Sequence, residues 1–150
     1  MINKLDNSHT EVANRIYSIF QSSYKIEAQL IGTLNFPPLL RSVKDIAGSK
    51  SLFYGFFENT CLAAVLEVAI YDDQLDINSL TVAPNSFRRG IVDKLLKYVL
   101  STFDFDKAFV ETALVNEPAI RLYKKHGFIE VKQWTPSHGI KKILFEIKKA

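Results

Sequence analysis

Two arginines and a glycine stand where a strand-like run gives way to a helical one, in Val82-Ala83-Pro84-Asn85-Ser86-Phe87-Arg88-Arg89-Gly90-Ile91-Val92. At a helix start the backbone N–H groups are free, and with the helix dipole they make a site for a phosphate or pyrophosphate. Gly90 lets a ligand approach the backbone, and Arg88 and Arg89 add charge. The same residues also suit a basic surface turn. In a second segment, Asn116 to Phe128, Asn116 fits an N-cap, Pro118 the first turn and Gly127 a C-terminal stop. Tyr123 shares a helical face with Ala119 and Leu122. Its phenol either offers O–H to a ligand lying between helix and sheet or packs as a core tyrosine with a satisfied hydroxyl.

The chain around these residues has 150 positions, 47% hydrophobic and 23% charged, with 6 Gly and 5 Pro. That is the composition of one globular domain, and we expect residues 1–150 to form it. At this length roughly 68 to 70% of the unfolded surface is buried, enough for a core without disulfides or a structural metal. The single cysteine, Cys61, lies in the run Cys61-Leu62-Ala63-Ala64-Val65-Leu66 and is expected as a buried, inert thiol. No Cys/His cluster argues for zinc, so no metal is expected. The N-terminus lacks a signal-peptide layout, and no apolar run approaches the ~18 residues of a membrane span, so a cytoplasmic protein without membrane attachment is the expectation. Net charge is +3, but residues 121–150 carry +6 and the remainder −3.

These residues need elements to position them. Ser8 and Glu11 read as a capping box opening a helix. Val12, Ile16, Ile19, Phe20 and Tyr24 repeat at helical spacing, so the helix is expected to reach about Tyr24, with Glu27 to Ile31 adding a turn or two. Phe36-Pro37-Pro38-Leu39 breaks it, and Ser42 to Ala47 suits a short helix. Ser51 to Glu58 and Leu62 to Ile70 read as a hairpin about Asn59-Thr60, and Leu75 to Val82 as a third strand. A helix near Arg88 to Leu100 follows. Then come a strand at Ala108 to Ala113, a helix at Asn116 to Lys125, and strands at Phe128 to Lys132 and Ile140 to Ile147. With a short possible strand at Ile2 to Leu5, the order predicts an α/β domain. Its sheet is mixed, mostly antiparallel and six- or seven-stranded, with helices on both faces.

Taken together, the two chemistry-bearing segments resemble the GNAT superfamily of acetyl-CoA-dependent N-acetyltransferases. Leu80-Thr81-Val82-Ala83-Pro84 followed by Arg88-Arg89-Gly90-Ile91 looks like that family's motif A, and Asn116 to Phe128 matches N-x-x-A-x-x-L-Y-x-x-x-G-F at every defined position. The loop Q/R-x-x-G-x-G/A falls on Phe87 to Val92 and departs at both ends, with Phe87 for Gln or Arg and Val92 for a small residue. The resemblance implies acetyl-CoA in a V-shaped opening between strands Leu75 to Val82 and Ala108 to Ala113, which should lie parallel. Backbone near Leu80, Thr81 and Val82 would hold the pantetheine, and Phe87, Arg88, Arg89, Gly90, Ile91 and Val92 the pyrophosphate, with Asn116 and Tyr123 completing the cofactor site.

The implied reaction is direct transfer of an acetyl group to a primary amine of a small molecule or peptide. Tyr123 takes the position of the acid that meets the CoA sulfur. Glu111 takes that of the base in ribosomal-protein N-terminal acetyltransferases, and Asp76 competes from the preceding strand, where histone-acetyltransferase members place a glutamate. Water is a third choice. The acceptor walls fall on Tyr24 to Leu40 and on Trp134 to Gly139, which makes Tyr24, Glu27, Phe36 and His138 candidate substrate-binding residues. A cationic amine would suit the aromatics and Glu27. The resemblance also allows a homodimer formed through late strands. Phe87 and Val92 motivate an alternative, a non-catalytic acyl-CoA-binding regulatory domain of the same fold. A nucleic-acid surface on Arg88, Arg89 and the basic C-terminus is disfavoured by interleaved acids such as Asp93 and by the absence of a reader motif.

Overall fold

Two positive-φ residues set the register of the central strands. Asn59 (φ 57°) and Asp72 (φ 53°) each open a two-residue turn, between Glu58 and Cys61 and between Tyr71 and Gln74. Asn and Asp tolerate the left-handed region because their short side chains satisfy nearby backbone, and such turns match the twist of antiparallel strands. The computed structural model describes residues 1–33, 35–86 and 90–149. In it the turns join β2 (Leu52–Glu58), β3 (Cys61–Tyr71) and β4 (Gln74–Val82) into a meander. With β1 (Ile2–Leu5), β5 (Lys107–Ala113), β6 (Ile129–Trp134) and β7 (Lys142–Lys148) they form a seven-stranded sheet of order β1-β2-β3-β4-β5-β7-β6.

Every neighbouring pair is antiparallel except β4 and β5. A parallel pair needs a crossover, supplied by α3 (Ile91–Thr102). α3 and α4 (Glu117–Lys125) cover one face. There Leu95, Leu96 and Val99 pack into a core with Leu66, Val68, Leu75, Ala108 and Phe145, all completely buried. α1 (Thr10–Ile31) and α2 (Val43–Gly48) cover the other, where Ile16, Phe20 and Ile46 meet Phe53 and Val65. Layers on both sides explain why Ala63 to Val68 of β3 is buried without alternation.

α1 continues unbroken for 22 residues to a left-handed Gly32 cap, and the further turns expected at Glu27 to Ile31 form because Ala28 and Ile31 find a small core with Phe36, Ala113 and Ile140. Three expectations are corrected. Ser8 does not cap α1. His9 occupies the N-cap without a side-chain bond, and Ser8 instead hydrogen-bonds Asp6 through both its N–H and its hydroxyl. The capping box forms at α2, where Asp45 N–H donates to Ser42 Oγ at 3.0 Å and Ser42 N–H donates to Asp45 Oδ2 at 2.9 Å. Cys61 is exposed: as the first residue of β3 it precedes the covered stretch. The third helix also starts later than Arg88, at Ile91 with Gly90 as N-cap.

Candidate active site

The parallel ladder between β4 and β5 is short. It runs from Gln74↔Lys107 to Ile77↔Val110 and stops. On the opposite edge of β4 the register with β3 jumps from Glu67↔Ser79 to Val68↔Ile77, so Asn78 is an extra, bulged residue. A bulge bends its strand and breaks pairing. Beyond it β4 stays hydrogen-bonded to β3 through Val82. Its other edge, at 78–82, faces a gap instead of β5.

A cavity of about 130 Å³ fills that gap, with Ile77, Asn78, Ser79 and Leu80 on one side and Val110, Glu111, Thr112 and Ala113 on the other. Tyr24, Glu27 and Phe36 close it from the α1 face, and Asn116, Ala119 and Tyr123 from the α4 face. Seven residues expected in the site from sequence are thus brought together: Tyr24, Glu27, Phe36, Leu80, Glu111, Asn116 and Tyr123.

Tyr123 is buried, its ring held by edge contacts with Phe128 at 5.8 Å and a tilted contact with Phe145 at 6.0 Å. Its hydroxyl has no hydrogen-bond partner among the described residues. Burial, reinforced by the nearby Glu27 and Tyr24, pushes the phenol far above its ordinary range, so it stays protonated as a donor. Asn116 uses both ends of its amide. Oδ1 caps α4 by accepting from Ala119 N–H at 3.3 Å, and Nδ2 donates to Glu27 Oε1 at 2.9 Å. Burial raises the Glu27 carboxyl above its ordinary value, against the Asn116 bond and the charge of Lys142.

Glu111 is placed differently. Val110 packs in the α4-side core and Glu111, next along the strand, points to the α1 face, where Lys142 Nζ donates to its Oε1 at 2.7 Å. Its side chain is 45% exposed. Asp76 lies outside the cavity, in a wider depression with Gln74, Phe109 and Leu144, and accepts from Gln74 Nε2 at 2.8 Å.

Behind the α1 wall runs a buried polar chain that the sequence analysis missed. Tyr24 Oη donates to Ser79 Oγ at 3.0 Å, Ser79 Oγ donates to Glu67 Oε1 at 3.1 Å, and Arg41 grips both Glu67 oxygens at 2.6 and 2.9 Å. The guanidinium lies over the rings of Phe20 and Phe53 at 5.8 and 5.7 Å. Burial pushes the Tyr24 phenol up to about 12, and the Glu67 hydrogen bonds raise Arg41 further still. The available signal was a lone carboxylate, Glu67, within the apolar run Leu62 to Ile70, which demands a cation partner.

The remaining expected residues sit around the cavity. Gly90, at φ 69°, has open space where a Cβ would be. Ile91 is buried in the core, and Val92 is half-buried in the first turn of α3. Asp93, one residue on, holds Lys125 at 3.2 Å and His126 at 2.9 Å, tying α3 to the end of α4. Thr81 is buried with its hydroxyl toward Val65 O, and Val82 is half-buried. Phe87, Arg88 and Arg89 lie outside the described residues. His138 is exposed and does not line the cavity, its Nδ1 accepting from Ile140 N–H at 3.2 Å.

The seven-stranded sheet thus opens at the end of its parallel pair, with the N-terminus of α3 beyond the opening. Residues 13–128 match the Acetyltransferase (GNAT) family, and the chain belongs to it. The family uses acetyl-CoA as acetyl donor. UPF0157 protein YqkA of Bacillus subtilis (strain 168) is 32% identical over 148 residues, which are 98% of this chain and 43% of the relative. This chain therefore spans less than half of that protein. Among solved structures, the ribosomal-protein-S18-alanine N-acetyltransferase from Escherichia coli superposes with a TM-score of 0.77 at 21% identity, covering 99% of this chain and 92% of that one. PaiA N-acetyltransferase from Thermoplasma acidophilum, solved in complex with coenzyme A, gives 0.77 at 17% identity, covering 99% and 98%. At these identities the likeness concerns the fold. Among the described residues, no helix is long and apolar enough to cross a membrane.

Proposed function

We propose that this chain is an N-acetyltransferase that moves an acetyl group from acetyl-CoA directly to a primary amine of a small molecule or peptide. The observation that carries the reading is the cavity at the β4–β5 split, where two carboxylates meet the Tyr123 hydroxyl, which has no hydrogen-bond partner among the described residues. The residues fit the cosubstrate. The unpaired edge of β4 at 78–82 offers backbone donors and acceptors to an amide-bearing pantetheine arm. Gly90, the N-cap of α3, has open space where a Cβ would be and would let a pyrophosphate approach the backbone N–H groups of the first turn.

When bound, acetyl-CoA supplies a thioester carbonyl as the electrophile. The protein has to hold the amine in line with it, remove a proton from the ammonium and supply one to sulfur. Tyr123, held protonated, suits the last role. Glu27 presents negative charge to a cationic amine between Tyr24 and Phe36. Glu111 and Asp76 are the carboxylates that the family resemblance offers as base, and only Glu111 lines the same cavity as Tyr123.

Calorimetry with acetyl-CoA, followed by thiol release over alkylamines, diamines and short peptides, tests the proposal. Binding with turnover on at least one class is expected. Binding without turnover on any would favour the acyl-CoA-binding domain without catalysis, and no binding would overturn both.

A further inference from the structure

Three carboxylates surround the β4–β5 split, and their surroundings differ. Asp76 is outside the cavity that holds Tyr123. Glu111 reaches it, but its Oε1 is taken by Lys142 at 2.7 Å and its side chain is 45% exposed. Glu27 is the third. Asn116 holds its Oε1, and Oε2 has no hydrogen-bond partner among the described residues.

On the acetyl-transfer reading above, we infer that Glu27, rather than Glu111, is the general base that takes the proton from the acceptor ammonium. The geometry supports this from both sides of the split. Asn116 is fixed as the α4 N-cap, so its amide sets where Oε1 sits, and the free Oε2 is left for the acceptor. The groups facing Glu27 are Tyr24 from its own helix, Asn116 and Tyr123 from α4 and its cap, Lys142 from β7 and Glu111 from β5. Lys142 makes its close contact with Glu111 and none with Glu27. Burial raises the Glu27 carboxyl above its ordinary value, which makes its carboxylate a stronger base.

The step balances in protons and bonds. The ammonium N–H proton passes to the Glu27 carboxylate, and the freed nitrogen lone pair forms the C–N bond as the C–S bond breaks. Tyr123 O–H protonates the departing sulfur, and the second, now acidic, N–H proton restores the phenol. Glu27 then releases its proton to solvent, leaving an amide, a thiol and one proton.

The test uses wild-type chain, Glu27→Gln and Glu111→Gln with acetyl-CoA and the alkylamine and peptide panel named above. For Glu27→Gln, kcat/KM should fall by about 10² to 10⁴-fold and the acidic limb of its pH profile should vanish, with the acetyl-CoA Kd held. Carbon-13 NMR of the glutamate carboxyls gives a readout independent of turnover, and Glu27 should titrate above ordinary glutamates. An unchanged rate and profile in Glu27→Gln, or loss of the acidic limb in Glu111→Gln instead, would overturn the assignment. Absence of turnover in the wild-type chain overturns the acetyl-transfer reading beneath it.

Discussion

Ile77 and Val110 are the last Cα partners of the β4–β5 ladder, and the bulge at Asn78 follows at once on β4. One residue thus converts a continuous sheet into two diverging strands with an exposed backbone edge between them. If that edge receives the pantetheine arm, CoA should slow hydrogen exchange at those amides of 78–82 that point away from β3, and leave the β3–β4 hairpin turn at 72–73 unaffected. Unchanged exchange at 78–82 would place the cosubstrate elsewhere.

Tyr123→Phe removes a hydroxyl that has no hydrogen-bond partner among the described residues and keeps the ring that Phe128 and Phe145 hold. Thermal stability and CoA affinity should therefore stay close to wild type, because no internal hydrogen bond is lost. Turnover should drop, by about 10² to 10⁴-fold if the phenol alone protonates sulfur. Stopped-flow thiol release separates this from a packing role, for which rate would follow stability.

Gly90 combines a φ of 69° with empty space around its missing side chain. Gly90→Leu should thus meet backbone strain of about 1–2 kcal/mol, while its Cβ would touch none of the described residues. The side chain would stand in front of the α3 N-terminus, and CoA binding should weaken by roughly 1–3 kcal/mol as N–H contacts to the pyrophosphate are lost. Titration calorimetry beside a melting curve distinguishes the two effects, since strain alone would leave affinity nearly intact.

Much of this arrangement could be read from local pattern. The 3.6-residue repeat from Ile91, the cap at Asn116 and the glycine at 90 all depend on neighbours a few positions away. The parallel pairing of the two strands flanking α3 was legible from the single helix that joins them, by the crossover rule. What escaped depends on partners distant in sequence. Ser8 has the spacing of a capping box, yet Asp6 captures its hydroxyl. Arg41 meets Glu67 across 26 residues and Asn116 meets Glu27 across 89, so neither pair leaves a periodic trace. Lys142, which donates to Glu111, lies 31 residues beyond it.

Arg41 and Glu67 form the bidentate pair that anchors the α1 wall of the cavity, with the Glu67 side chain only 3% exposed. Arg41→Met would keep contact with Phe20 and Phe53 but leave a buried carboxylate without its cation. Such orphaned charges cost about 3 kcal/mol. Chemical denaturation should show a loss of that order, partly restored in the double variant Arg41→Met, Glu67→Gln. A loss below about 1 kcal/mol would mean that Ser79 and solvent suffice for Glu67.

Glu27 supplies a pH signature in stability as well as in rate. Burial raises its folded value above the ordinary 4.5 of the unfolded chain, so the native state binds this proton more tightly. By linkage, the stability it contributes is fully present below about pH 4.5 and is lost as pH rises through the folded value. Above that point the native state holds an ionised carboxylate that burial disfavours. Glu27→Gln keeps an oxygen to accept from Asn116 Nδ2 and carries no charge. It should therefore melt above the wild-type chain at neutral pH, with the difference shrinking on acidification toward pH 4. Taking the difference between the two chains cancels the titration of groups they share. A variant that is less stable at every pH would mean that the Glu27 charge is favourable where it sits, which removes the physical reason for a raised carboxyl. A gain in stability together with a loss of turnover is the pattern of a group kept for chemistry at the expense of the fold.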